Sequence, residues 1–123
     1  MPAVARLKRR PEFLAVAASK RRWVAPGLIL QAAARPEEST LPPAPRIGFT
    51  ASRKIGIAVK RNRARRRLRA AVDAVLPQGG RPGFDYVVVA RSGTLTRPFT
   101  QLIADLEAAL RHVHGKAEKR GAA

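Results

Sequence analysis

Between Ala58 and Val72 the sequence reads AVKRNRARRRLRAAV. Lys60, Arg61, Arg63, Arg65, Arg66, Arg67 and Arg69 crowd together, with Asn62 among them and no acid anywhere in the stretch. A guanidinium group grips phosphate through two parallel N–H donors, which an ammonium cannot do. A carboxamide such as Asn62 both donates and accepts. It suits a base edge, a 2′-hydroxyl or a backbone group, and it can equally bond locally near a helix start. The chemistry on offer is recognition of a polyanion.

Nothing else in the chain has the spacing of bond-making chemistry. His112 and His114 are two apart, so on a helix they point about 200° from each other and do not share a metal. The acids Glu12, Glu37, Glu38, Asp73, Asp85, Asp105, Glu107 and Glu118 show neither acid–base nor metal-ligand spacing. The segment QGGRPG lacks the Lys-Ser/Thr ending of a phosphate-binding loop. There is no cysteine, which excludes disulfides, thiolate metal sites and a Cys nucleophile. The expectation is no catalytic residue, no metal and no cofactor held by the protein itself.

The whole chain carries the same message as the cluster. Its 25 Lys and Arg against 8 Asp and Glu give +17, an excess that repels itself unless a polyanion neutralises it. Nucleic acid is the leading partner and an anionic membrane surface the second. A membrane-surface helix needs apolar anchors beside its cations, and the arc that bears Arg63 and Arg66 has none. No apolar run approaches the roughly 18 residues of a membrane span. The opening segment lacks the continuous apolar stretch of a secretory signal.

These side chains need elements to position them. Ala64, Leu68, Ala71, Val72 and Val75 recur at helical spacing, so a helix is predicted over 58–76, ended by Pro77. At 100° per residue the apolar stripe faces one way, while Asn62, Arg63, Arg66 and Arg69 face the other. Arg65 and Arg67 flank the stripe, and Lys60 and Arg61 sit in the first turn. The rows Arg61–Arg65–Arg69 and Arg63–Arg67 place like charges at i, i+4, which is unfavourable. Their position in the N-terminal half of the helix adds a second unfavourable term from the macrodipole. A bound phosphate backbone reverses both.

Around this helix the pattern predicts a short helix over 10–19 and extended pieces over 22–25 and 28–34, bent at Pro26-Gly27. The proline-rich stretch 35–46 reads as a loop. Ile47, Phe49 and Ala51 read as one face of a strand, and the Val-rich run 84–91 as a buried strand. A last helix is predicted over 98–114, stopped at Gly115. The order α-β-β-β-α-β-α is that of an α/β (α+β) two-layer sandwich. We expect a single domain over 1–123, with a folded core over about 6–114 and a flexible tail over 115–123.

Several of these stretches carry a family resemblance. The run Ala58-Val59-Lys60-Arg61-Asn62-Arg63-Ala64-Arg65-Arg66 resembles the Arg-Asn-Arg signature of the protein subunit of bacterial ribonuclease P. RIGFTASRKIG (46–56), RLKRRPEFLAV (6–16) and FDYVVVAR (84–91) resemble that family's strand and basic loop, first helix and last strand. The resemblance runs from about Arg6 to Val113 in the same order.

The resemblance implies a protein that assists a catalytic RNA in removing the 5′ leader of precursor tRNA, in the cytoplasm. The chemistry, and the magnesium ions it uses, belong to the RNA. It also implies a left-handed crossover at the basic helix, against the usual hand. By the same likeness, Ser52, Arg53, Lys54, Lys60, Arg61, Asn62, Arg63, Arg65, Arg66, Arg67 and Arg69 are expected to meet the RNA subunit. Phe13 is expected to line a cleft for the single-stranded leader, with Ala17 and Gln31 standing where relatives often carry aromatics. Trp23 and Phe49 are the aromatics able to stand in, and core packing is an equally ordinary role for Phe49. A ribosomal RNA-binding protein fits the same composition and size.

Overall fold

The structure is a computed structural model that describes residues 4–36, 39 and 41–122. Its elements run β1 (Ala5–Arg6), α1 (Arg10–Ala18), β2 (Arg21–Val24), β3 (Leu28–Ala34), β4 (Arg46–Thr50), a 3-10 turn (Arg53–Ile55), α2 (Ala58–Gly79), β5 (Phe84–Ala90), α3 (Ser92–Thr96) and α4 (Phe99–Ala122). The strands form one sheet in the order β1-β4-β5-β3-β2. The parallel neighbours β4 and β5 are joined through α2, so the basic helix is the crossover of a βαβ unit. The mixed α+β class and the order of the larger elements are those read from the sequence.

Alternation along the strands sorts the side chains onto two faces. Leu28, Leu30, Ala32, Ile47, Tyr86, Val88 and Ala90 point to one face and pack with Ala64, Leu68, Ala71, Val72 and Val75 of α2. Leu102, Leu106, Ala109, Leu110 and Val113 of α4 complete that core. The other face carries α1 alone. There Val16 and Leu7 bury against Val87, with Phe13 packed beside them. The sandwich is thus closed by α2, α3 and α4 on one side and crossed by a single short helix on the other.

The ends of two helices differ from the sequence reading, which also lacks two short elements, β1 and α3. α2 continues through Pro77 to Gly79 rather than stopping at Leu76. Pro77 lies in the exposed last turn; its missing N–H and its ring bear on the Asp73 carbonyl one turn back, and the helix ends two residues later. α4 continues through Gly115 to Ala122, so Gly115 is no stop; a lone glycine weakens a helix without ending it. The stretch 92–96 forms α3, which has too few residues to show a period. Its fold comes from tertiary bonds: Thr94 Oγ1 donates to the Gly27 carbonyl at 2.5 Å and accepts from the Arg91 N–H at 2.9 Å. A Cβ on Gly93 would lie 2.5 Å from the Pro26 carbonyl oxygen, so α3 docks there only through glycine.

Candidate RNA-binding surfaces

The core-facing stripe of α2 holds the helix so that its cations line the outer side. Lys60, Asn62, Arg63, Arg66 and Arg69 are exposed, and Arg61 and Arg65 are partly so. Asn62 makes the local bond: its Oδ1 accepts from Arg65 Nη1 at 3.0 Å and steadies that guanidinium one turn away. Ser52, Arg53 and Lys54 are exposed on the 3-10 turn that leads into the helix. Gly56 follows with φ of 134°, a conformation open to glycine, which lets the turn enter α2 beside Lys60.

Arg67 does not belong to this band. Its Nε donates to the Thr94 carbonyl at 2.8 Å and its Nη2 to the Arg97 carbonyl. It ties α2 to α3 and has two of its five N–H donors engaged there. Helical spacing places it beside the apolar stripe, and α3, unseen in the sequence, is what it meets there.

Apart from Asp73, which is exposed near the C-terminal end of α2 itself, the acids described sit elsewhere. Asp85 takes Arg46 through both oxygens, at 2.8 and 2.7 Å, and Arg35 at 2.7 Å. Arg46 also reaches Glu12 at 2.5 Å. The Glu12 carboxylate accepts the backbone N–H groups of Arg9 and Lys8 at 2.9 Å each, capping α1. Those two bonds, with Arg46 behind them, lower its pKa from 4.5 to about 2. Asp105 pairs with Arg97 and accepts the Gly27 N–H at 3.0 Å. Glu37 and Glu38 lie outside the described residues. Among the described residues, no acid pairs with any cation of α2.

The residues expected at a leader cleft split between the two sheet faces. Phe13 lies on the α1 face, over the backbone of β4: a Cβ on Gly48 would fall 2.4 Å from its ring. Exposed Ala17 is on the same helix, and half-buried Gln31 is on the same sheet face. Trp23 pairs with Leu30 and so points to the opposite face, where it stacks on His112 of α4 with ring centroids 3.7 Å apart and planes 10° from parallel. Phe49 pairs with Val88 and also faces α2. Neither stands with Phe13, because strand alternation sends them through to the other side.

Sequence reasoning missed Arg6. It lies on β1 with its guanidinium carbon 5.2 Å from the centroid of the Phe49 ring, and Arg69 approaches the same ring at 6.0 Å. It also missed the buried bond between the Tyr86 hydroxyl and His114 Nε2, 2.7 Å long; burial there raises the Tyr86 pKa. Among the described residues, no three His, Cys, Asp or Glu side chains gather as a metal site. No described helix is long and apolar enough to cross a membrane.

Fold and surface together define a nucleic-acid-binding protein of the α+β class, built to present cations. The sequence profile of the Ribonuclease P family matches residues 1–114. The chain is 52% identical over 118 residues to the ribonuclease P protein component of Paramagnetospirillum magneticum, covering 96% of this chain and 88% of that one. It is 49% identical over 117 residues to that of Gluconacetobacter diazotrophicus, covering 95% and 94%. The Staphylococcus aureus RNase P protein structure superposes with a TM-score of 0.69 at 21% identity, over 89% of this chain and 94% of the other, and shows the same fold. The chain belongs to the bacterial ribonuclease P protein family. It is the protein subunit of an endoribonuclease that matures the 5′ ends of tRNA, and it works with an RNA partner.

Proposed function

We propose that α2 and the turn before it bind the catalytic RNA, and that the α1 face of the sheet holds the single-stranded leader of precursor tRNA. The RNA-subunit surface comprises Ser52, Arg53, Lys54, Lys60, Arg61, Asn62, Arg63, Arg65, Arg66 and Arg69, with Arg67 holding the helix in place. The carrying observation is the division of charge. Glu12, Asp85 and Asp105 are each taken by arginines of the scaffold, while the α2 cations have no acid among the described residues. A polyanion that settles there removes the repulsion along both arginine rows.

For the leader, Phe13 offers an aromatic face and Gln31 a polar group, with Ala17 one helical turn after Phe13 in place of a second ring. Stacking is therefore carried by one residue, and the rest of the cleft contributes shape. Magnesium ions belong to the RNA active site, and the reaction takes place in the cytoplasm.

The test is reconstitution. The protein alone is expected to leave precursor tRNA intact, and with the RNA subunit it should lower the magnesium concentration that cleavage requires. Cleavage by the protein without RNA would overturn the reading. A ribosomal role predicts instead that the protein follows ribosomal subunits through a sucrose gradient.

A further inference from the structure

Phe49 sits near the edge of the sheet, on β4, on the face that α2 covers. The outermost strand β1 pairs with β4 in parallel, and its backbone is held by bonds from the Ala5 N–H to the Pro45 carbonyl at 3.2 Å and from the Leu7 N–H to the Ile47 carbonyl at 2.9 Å. Arg6 is therefore on a fixed backbone. Its side chain is exposed, and so is that of Arg69. Both guanidinium groups lie over the one Phe49 ring, at 5.2 and 6.0 Å. Among the described residues neither bonds to an acid or a carbonyl.

A cation–π contact with a ring uses none of a guanidinium's N–H donors in a hydrogen bond, so those donors remain available. That separates this pair from the scaffold arginines. Arg67, Arg46 and Arg35 are committed to carbonyls and carboxylates of the scaffold. Arg6 and Arg69 are held in place with their donors unspent, although two like charges near one ring repel each other. Such a pair gains from an anion that bridges it. Arg69 is also the last member of the row Arg61–Arg65–Arg69, so Arg6 continues that row off the helix and onto the edge of the sheet.

We propose that Phe49 is a positioning residue that holds Arg6 and Arg69 as a paired phosphate clamp, so that the RNA-subunit footprint runs from α2 onto β1. The proposal rests on the reading of α2 as the RNA-subunit surface. It assigns Phe49 to that subunit rather than to the leader, since Phe13 lies through the sheet on the other side.

The experiment measures the affinity of the full chain for the ribonuclease P RNA across a salt series, with Arg63→Ala as the reference variant. Arg6→Ala and Arg69→Ala are each expected to weaken binding about fivefold. Each should also reduce the steepness of the salt dependence by about 0.7 to 0.9 for every phosphate no longer neutralised. Phe49→Leu, which keeps both charges, should weaken binding to a similar degree, and Phe49→Tyr, which keeps the ring, should restore it. In the Phe49→Leu background, adding Arg6→Ala should cost less than in the parent. If Arg63→Ala weakens binding while Arg6→Ala does not, the clamp is overturned and the α2 reading stands. If neither variant weakens binding, the α2 reading itself fails. If Arg6→Ala weakens only the binding of precursor tRNA with a leader, Arg6 is a leader contact and the clamp is overturned.

Discussion

Arg63 and Arg67 stand one turn apart on the same helix and do different things. Arg63 is exposed and bonded to nothing among the described residues, whereas Arg67 donates to two carbonyls of the α3 region. Arg63→Ala should leave the melting temperature almost unchanged, as exposed substitutions do, while lowering RNA-subunit affinity severalfold and the salt slope by about one. Arg67→Ala should do the reverse. It frees α3 and leaves two carbonyls without their charged donor, at a cost of about 2 kcal/mol in thermal or denaturant unfolding. The sequence shows both as members of one run of arginines. Only the presence of α3 tells them apart, and a five-residue helix stabilised by Thr94 and Gly93 against the Pro26-Gly27 turn leaves no periodic trace. Asn62 is similar: its residue type marks it as a polar reader or a local binder, and in the structure it holds Arg65. At the same scale, Glu12 makes a pH prediction. Its folded pKa lies at about 2, below the ordinary 4.5, so its stabilisation is present above about pH 4.5 and is lost as pH falls towards 2. The melting temperature of the parent should drop across that window relative to Glu12→Gln, which should show a smaller acid-dependent loss. Parallel curves for the two proteins would contradict it.

Among the elements, α2 is the most legible in the sequence and the faces of the strands the least. A helix buried on one side writes its core as a 3.6-residue period, and Ala64, Leu68, Ala71, Val72 and Val75 do pack inward. A strand writes only which residues share a face. Ile47 and Phe49 are readable as neighbours on one side of β4. Which helix covers that side depends on the strand order and on α1 and α2 lying on opposite faces, and neither is a local property. That is why Trp23 and Phe49 read as stand-ins at the leader cleft, whereas in the structure they face α4 and α2. The consequence for α1 is that, of Phe13, Ala17, Trp23, Gln31 and Phe49, its Phe13 is the one aromatic on the α1 face of the sheet, where the leader is proposed to bind. Phe13→Leu keeps the apolar packing over Gly48 and removes the stacking surface. Precursor tRNA with a leader should then bind the holoenzyme about fivefold more weakly, near the lower end for loss of one base–aromatic stack, while mature tRNA binds as before. An equal loss for both substrates would show that Phe13 serves the fold and not the leader. Gly48→Ala tests the same junction from below, because the added Cβ falls 2.4 Å from the Phe13 ring. Overpacking of this kind should cost about 1–3 kcal/mol of stability.

For the whole molecule, the excess of charge acts on folding and on binding with opposite signs. The chain carries +17, and the paired acids Glu12, Asp85 and Asp105 are taken up inside the scaffold, so the free protein folds against its own repulsion. Added salt screens that repulsion across distances beyond about 8–10 Å, while the Asp85 and Asp105 pairs, mostly buried, are screened far less. The melting temperature of the free protein should therefore rise with monovalent salt between about 50 and 300 mM. The same salt competes with the protein for phosphate. With about six phosphates neutralised by the α2 surface, RNA-subunit affinity should fall on the order of a thousandfold between 50 and 200 mM. The two trends belong together, because both follow from cations that the scaffold leaves unpaired. Thermal unfolding and RNA binding measured over one salt series would check them. A melting temperature that falls with salt would mean that surface ion pairs, rather than self-repulsion, govern the stability of the free chain. An affinity that ignores salt would mean that the α2 arginines do not meet phosphate at all.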